Sequence, residues 1–249
     1  MKIALFSDVH ANLPALEACF KSIDEQKPDA IYCLGDLVGY NVWPNEVIRL
    51  IRERNIATLA GNHDLKLPLH GSEQELQFDA DSKNYAYALV GREERNYLLS
   101  LPAHIRLAFE LNGEKINVLF VHGSPRSVNE YLLEEMEEEF LSVIMQEADA
   151  DILCFGHSHK PYHRVLQSNV NGQTKYRHAI NIGSVGKPKD NNPNGCYVLL
   201  HLTAVSSCTV KESIHVEFVR LAYDIEKAAT AIEASPLPAV LADMLRKGY

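Results

Sequence analysis

Nine residues whose side chains could hold metal ions or move protons fall in tails that follow short apolar runs. KIALFS leads into Asp8 and His10, IYCLG into Asp36, and ATLAG into Asn62, His63 and Asp64, while VLFV precedes His122 and ILCFG precedes His157 and His159. One such residue after a strand is usually a turn or cap residue. Five tails of this kind are hard to explain as turns. Two carboxylates, several neutral imidazoles and an amide are too rich a set for one tetrahedral zinc. They suit two divalent ions, and mixed oxygen and imidazole ligation fits manganese, iron or zinc better than magnesium. Two such ions bring about +4 and Asp8 with Asp36 return about −2, leaving a surplus that attracts a hydroxide and a phosphoryl group. The neutral Asn62 preserves that surplus. A centre of this type supports metal-assisted hydrolysis of phosphate esters or anhydrides, and the remaining need is a proton for the leaving alkoxide. His63 is the expected donor, with Asp64 holding its other ring nitrogen.

The elements that must position these residues alternate strand and helix. Strands are expected at Lys2 to Ser7, Ala30 to Leu34 and Ile56 to Ala60, with helices at Pro14 to Gln26 and Pro44 to Arg54 between them. Two helical stretches, Lys83 to Val90 and Arg92 to Ser100, precede a hairpin of Ile105 to Leu111 and Lys115 to Val121 turning at Asn112 and Gly113. A helix over Glu135 to Ala148 and a strand at Ile152 to Phe155 follow. Strand-like runs then fall near His163 to Gln167, Lys175 to Ile182, Tyr197 to Leu202 and Ile214 to Leu221. Helices around Ile225 to Ala234 and Pro238 to Arg246 close the chain. Open α/β sheets collect ligands where the carboxyl ends of neighbouring strands meet, so the polar tails converge if these strands are neighbours. Periodicity alone gives an α/β protein with an antiparallel second half.

The chain has 249 residues, 46% hydrophobic and 23% charged, which is enough for a real core and a hydrophilic surface. We read it as one domain, 1–249, with the segment from about 203 on packing on the body or covering a dimer face. A net charge of −9 argues against a surface built to neutralise a nucleic-acid duplex. The acidic run from Glu134 to Glu139 reads as a solvated helix face. Five cysteines, of which Cys19, Cys33 and Cys154 lie in apolar runs, indicate no disulfide framework. The N-terminus resembles neither a signal peptide nor a membrane span, which makes the cytoplasm the expected location and no membrane partner expected.

DVH at Asp8 to His10, GD at Gly35 and Asp36, GNHD at Gly61 to Asp64, HG at His122 and Gly123, and GHSH at Gly156 to His159 together resemble the calcineurin-like metallophosphoesterase superfamily, over roughly Met1 to Gly186. The resemblance implies a four-layer α/β/β/α sandwich of two mixed β-sheets flanked by helices. It also implies one ion held by Asp8, His10 and His159, a second by Asn62, His122 and His157, Asp36 between them, and His63 as acid or charge stabiliser. GHSH would then deliver one histidine to each ion, as an extended i, i+2 pair with both imidazoles on one side. Two divalent or trivalent ions are the implied cofactors, manganese first and iron or zinc as alternatives. GDLVGY replaces the GDxxDRG of the protein phosphatase branch, and GNHD replaces GNHE. With PNEV, HGSPR and GSVGKPKD, the chain is similar to a bacterial subgroup labelled phosphodiesterases or asymmetrical dinucleoside tetraphosphatases.

The expected substrate is therefore a small phosphorylated or nucleotide-like molecule, with phosphodiesters first. Asn12 could hydrogen-bond a phosphate oxygen, and Arg126 and Lys187 could neutralise one. Gly183 and Gly186 allow close backbone approach. Tyr40 and Trp43 are read as core packing before base stacking. His70, His104, His163, His178, His201 and His215 lack ligand neighbours in sequence and are read as ordinary side chains. The alternative function is a catalytically silent binding or scaffold protein on the same fold, and a homo-oligomer remains open. A metallo-β-lactamase type centre would need HxHxDH, and the run here is His157, Ser158, His159, Lys160, Pro161, Tyr162.

Overall fold

The computed structural model describes residues 1–67, 84–170 and 172–249, so the reading of His70, and the Lys83 start of the expected helix, lie outside the described residues. Strand β1 (Lys2–Phe6) leads into helix α1 (Leu13–Gln26). The Oδ1 of Asn12 accepts the Ala15 N–H, Pro14 sits in the first turn, and Lys27 closes the helix in a left-handed conformation. Leu16, Cys19, Phe20 and Ile23 form its buried stripe. Strand β2 (Ala30–Cys33) and helix α2 (Pro44–Glu53) repeat the pattern, with Val47, Ile48 and Ile51 buried.

Strand β3 is only Ala57–Thr58, shorter than expected, because the Ala60 N–H leaves the ladder for the Pro102 carbonyl. Helices α3 (Tyr85–Ala88) and α4 (Arg92–Leu99) lead to the hairpin of β4 (His104–Leu111) and β5 (Glu114–Val121), where Asn112 and Gly113 both take positive φ, as a type I′ turn requires. Helix α5 (Glu138–Glu147) starts three residues later than expected, so part of the acidic run precedes it. The remaining elements are β6 (Ile152–Phe155), β7 (Tyr162–Val170), β8 (Gln173–Asn181), β9 (Gly195–His201), β10 (His215–Leu221), α6 (Ile225–Glu233) and α7 (Val240–Lys247).

Two mixed five-stranded sheets result, with strand orders β10-β9-β1-β2-β3 and β4-β5-β6-β8-β7. In the first, β1, β2 and β3 run parallel; in the second, β5, β6 and β8 do. Ile3, Leu5, Val198 and Leu200 of one sheet meet Val118, Phe120, Ile152 and Ile180 of the other in the central core layer. The opposite faces pack on α1 and α2 and on α5. This is the α/β/β/α sandwich, with seven helices among the described residues flanking the sheets. Helices α6 and α7 bury Ala228, Ile232 and Leu245 against Ala86, Val42 and Trp43, so Trp43 is a packing residue. All five cysteines are buried and free. Among the described residues, no helix is long and apolar enough to cross a membrane.

Candidate metal centre

Each of the nine residues follows the carboxyl end of a strand: β1, β2 and β3 in one sheet, β5 and β6 in the other. The β1 and β2 tails are laced side by side, with Asp8 N–H on the Gly35 carbonyl at 3.0 Å, His10 N–H on Asp36 at 2.9 Å and Ala11 N–H on Leu37 at 2.7 Å. Asp8, His10, Asp36, His157 and His159 all have positive φ, between 49 and 65°. Left-handed backbone is costly for non-glycine residues and persists where surrounding contacts impose it, often at functional sites. GHSH is therefore not extended, which corrects the alternation argument: two left-handed residues around Ser158 turn the imidazoles inward.

The hydrogen bonds fix where each side chain aims. Nδ1 of His10 lies 3.0 Å from the Val38 carbonyl, Nδ1 of His122 2.8 Å from that of Leu34, and Nδ1 of His159 2.5 Å from that of Lys187. A carbonyl only accepts, so each Nδ1 carries a proton and each neutral ring keeps its Nε2 lone pair for the interior. His157 is reversed: its Nε2 faces the Asn129 carbonyl at 3.3 Å, which leaves Nδ1 for a ligand.

Each carboxylate likewise commits one oxygen to backbone. Asp8 Oδ2 accepts from His157 N–H at 3.1 Å and Asp36 Oδ1 from His63 N–H at 2.7 Å. The free oxygens face the imidazoles. Asp8 Oδ1 is 3.1 Å from His159 Nε2 and 3.6 Å from His10 Nε2, and Asp36 Oδ2 is 3.3 Å from His122 Nε2 and 3.6 Å from His10 Nε2. Asn62 Oδ1 stands 3.1 Å from His122 Nε2.

Acceptors thus converge on acceptors. His10 and His159 point Nε2 at Nε2 across 3.1 Å, and Asp8 Oδ1 is buried with no hydrogen-bond partner. A buried carboxylate oxygen without a donor is costly unless a cation completes it. These donor atoms fit divalent ions, in two overlapping groups: Asp8, His10, Asp36 and His159, and Asp36, His122 and His157, with Asp36 common to both. Without a cation, protons take the strain. Burial would lower His122, but Asp36 and Asp8 outweigh it and raise it to about 10. Burial would raise Asp8 and Asp36, yet the imidazoles, chiefly His159 for the first and His122 for the second, hold both below the usual carboxylate range.

His63 lies against the first group, edge-on to His10 at 4.9 Å between ring centroids. Burial first, then His10, pushes it down to about 2. Its Nδ1 hydrogen-bonds the Tyr87 hydroxyl, and Nε2 lies 3.4 Å from Lys66 Nζ. Asp64 does not hold His63, which corrects that expectation. Its oxygens accept the backbone N–H groups of Asp36, Leu37 and Gly61 at 2.8, 2.8 and 2.9 Å, so it braces the β2 and β3 tails instead. Tyr87 gave no signal in the sequence, since its link to His63 spans two elements.

The expected substrate contacts are otherwise engaged. Asn12 caps α1 and donates to the Gly186 carbonyl at 2.9 Å, fully buried. Arg126 is paired with Glu130 and lies over Phe140. Lys187 is buried, with Nζ 4.9 Å from the centre of the Tyr40 ring and 3.5 Å from Met244 Sδ. Burial and then Lys189 lower it to about 8. Lys189, the second lysine of GSVGKPKD, is instead the half-buried cation that feels the carboxylates: burial lowers it, and Asp8 and Asp36 offset part of that shift. Tyr40 packs edge-on to His10, and Tyr131 stacks on His157 at 4.1 Å while 47% exposed. A cavity of about 330 Å³ beside His122 is lined by Ala60, Leu65, Leu101, His104 and Arg106.

GSVG serves the backbone of the site. The N–H groups of Val185 and Gly186 reach the Ser7 and Asp8 carbonyls at 3.0 and 2.9 Å. A Cβ at Gly186 would lie 1.8 Å from the Val9 oxygen, so only glycine lets this loop seat the tail that carries Asp8 and His10.

Residues 1–204 match the model of the calcineurin-like phosphoesterase superfamily domain. An uncharacterized protein of Methanocaldococcus jannaschii is 31% identical, the match covering 99% of this chain and 98% of that one. The crystal structure of a metallophosphoesterase from Sphaerobacter thermophilus superimposes with a TM-score of 0.75 at 27% identity, over 100% of this chain and 99% of the other. A hypothetical protein from Pyrococcus horikoshii shares the fold, with a TM-score of 0.76 at 22% identity and coverage of 100% and 98%.

Proposed function

The chain belongs to the calcineurin-like phosphoesterase superfamily, and from that premise we propose that it is a hydrolase of phosphate esters or anhydrides, phosphodiesters first, working with two metal ions. The observation that carries this reading is the buried, donorless Asp8 Oδ1 among the imidazoles of His10, His122 and His159, whose Nε2 atoms face inward. Asp8, His10 and His159 would hold one ion, Asn62, His122 and His157 the other, and Asp36 would face both. Bound divalent ions, manganese first and iron or zinc as alternatives, would supply Lewis acidity and a water of lowered pKa.

The chain's own residues do the rest. The Val38, Leu34 and Lys187 carbonyls orient three imidazoles before any ion arrives, which removes a reorganisation cost. His63 stands beside the centre to assist the leaving oxygen, positioned by Tyr87. Lys189 offers positive charge to an incoming phosphate, and the cavity beside His122 offers room for the organic group.

The test combines elemental analysis with hydrolysis of bis-p-nitrophenyl phosphate and p-nitrophenyl phosphate in manganese. About two ions per chain with diester cleavage is the expected result. Asp36→Asn should lose metal and nearly all turnover, whereas His63→Ala should keep its metal and lose about 10²- to 10⁴-fold in turnover. No bound metal and no turnover would overturn the reading and favour a scaffold role.

A further inference from the structure

A second group of metal-ligating side chains stands at the other end of the first sheet. His201 ends β9 and His215 begins β10, directly opposite each other in the antiparallel ladder, and Glu217 lies two residues on, on the same face. One donor atom from each lies within 4.8 Å of the other two. The imidazole rings are 5.2 Å apart between centroids, and His201 Nε2 is 3.6 Å from Glu217 Oε2. That separation is too long for a hydrogen bond. It is close to the separation of about 3.3–3.4 Å between ligand atoms around a tetrahedral ion with bonds of about 2.0–2.1 Å. His201 Nε2 is itself buried with no hydrogen-bond partner. Lys2, in register with His201 on β1, turns its ammonium onto the Gln26 carbonyl at 2.9 Å, though its charge is still felt at His201.

We propose that His201, His215 and Glu217 bind one divalent ion of the zinc type, with water in the fourth position, as a clasp between β9 and the edge strand β10. Two imidazoles and a carboxylate are a donor set for such ions. The clasp closes the base of the loop 202–214 and pins the edge of the sheet at its outermost ladder pair. Asp8 lies beyond the opposite end of β1, about 20 Å away at strand rise, so the clasp shares no ligand with the centre described above.

The experiment compares the full-length protein with His215→Ala, a change at an exposed position. Both are loaded with manganese, dialysed against micromolar zinc and then analysed for metal. The wild-type protein should carry one more equivalent of zinc than the variant and gain more in Tm on adding zinc, with diester turnover in manganese equal in the two. Equal zinc content would overturn the proposal. So would a loss of zinc accompanied by a loss of turnover, since that ion would belong to the catalytic centre.

Discussion

At the scale of single residues, the centre depends on which nitrogen of each imidazole is engaged behind it. His10, His122 and His159 each give Nδ1 to a backbone carbonyl, so the inward atom is fixed by the main chain and not by the ion. His63 differs in that its Nδ1 partner is the Tyr87 hydroxyl. One hydrogen bond of this kind is worth about 1 kcal/mol, or about fivefold in rate. Tyr87→Phe, which keeps the ring, should therefore lower kcat about fivefold with KM and metal content unchanged. The loss should grow for esters with poorer leaving groups than p-nitrophenol. Steady-state kinetics across a leaving-group series would show it, and a change in KM alone would assign Tyr87 to substrate binding.

At the scale of elements, short loops carry the strain that aims the ligands. Asp8, Asp36 and His157 hold left-handed backbone because neighbouring loops bond to them: Asp64, from the β3 tail, to Asp36; Asp8, from the β1 tail, to His157; and Gly186 with Ser184, from the loop before β9, to Asp8. That last loop also buries Lys187 against Tyr40 and against Met244 of α7. A lysine lowered to about 8, from an ordinary 10.5, pays for its charge in the fold whenever it is protonated. In the folded state it binds fewer protons than in the unfolded state between those values, so the penalty is full below about 8 and vanishes toward 10.5. Lys187→Met should thus stabilise the protein by about 3 kcal/mol at pH 7. Thermal unfolding at stepped pH should show the gain shrinking from pH 8 upward.

At the scale of the whole molecule, the candidate ligands come from both sheets: Asp8, His10, Asp36 and Asn62 from one, His122, His157 and His159 from the other. An ion bound there links the two layers of the sandwich. Metal at about 100 times its Kd adds about 2.7 kcal/mol, which for a chain of this length raises Tm by about 5–10 °C. The metal-free fold keeps a proton on His122, raised from 6.5 to about 10, so its contribution is present below 6.5 and lost as pH rises toward 10. Bound metal displaces that proton. The Tm difference between loaded and stripped protein should accordingly widen from pH 6.5 to 10, measured by scanning calorimetry. A constant difference would mean that His122 is already neutral without metal.

Sequence by itself determined the strands, most helices and the candidate ligand types, because apolar period and turn chemistry are local and the five polar tails each follow their own strand. It marked Asp8, His10, Asp36, Asn62, His122, His157 and His159 as candidate ligands, from the polar tails and the motifs that carry the family resemblance. Only the tertiary structure decided what each polar group faces. Asn12 and Asp64 carry the right chemistry for substrate or proton work, yet backbone groups from distant segments occupy them. Tyr87, Lys189 and the pairing of His201 with His215 have no local signature, since their meaning comes from groups brought alongside by strand order and packing. Hydrogen bonds and electrostatics act over a few ångströms of space, and that proximity is set by the fold rather than by position along the chain.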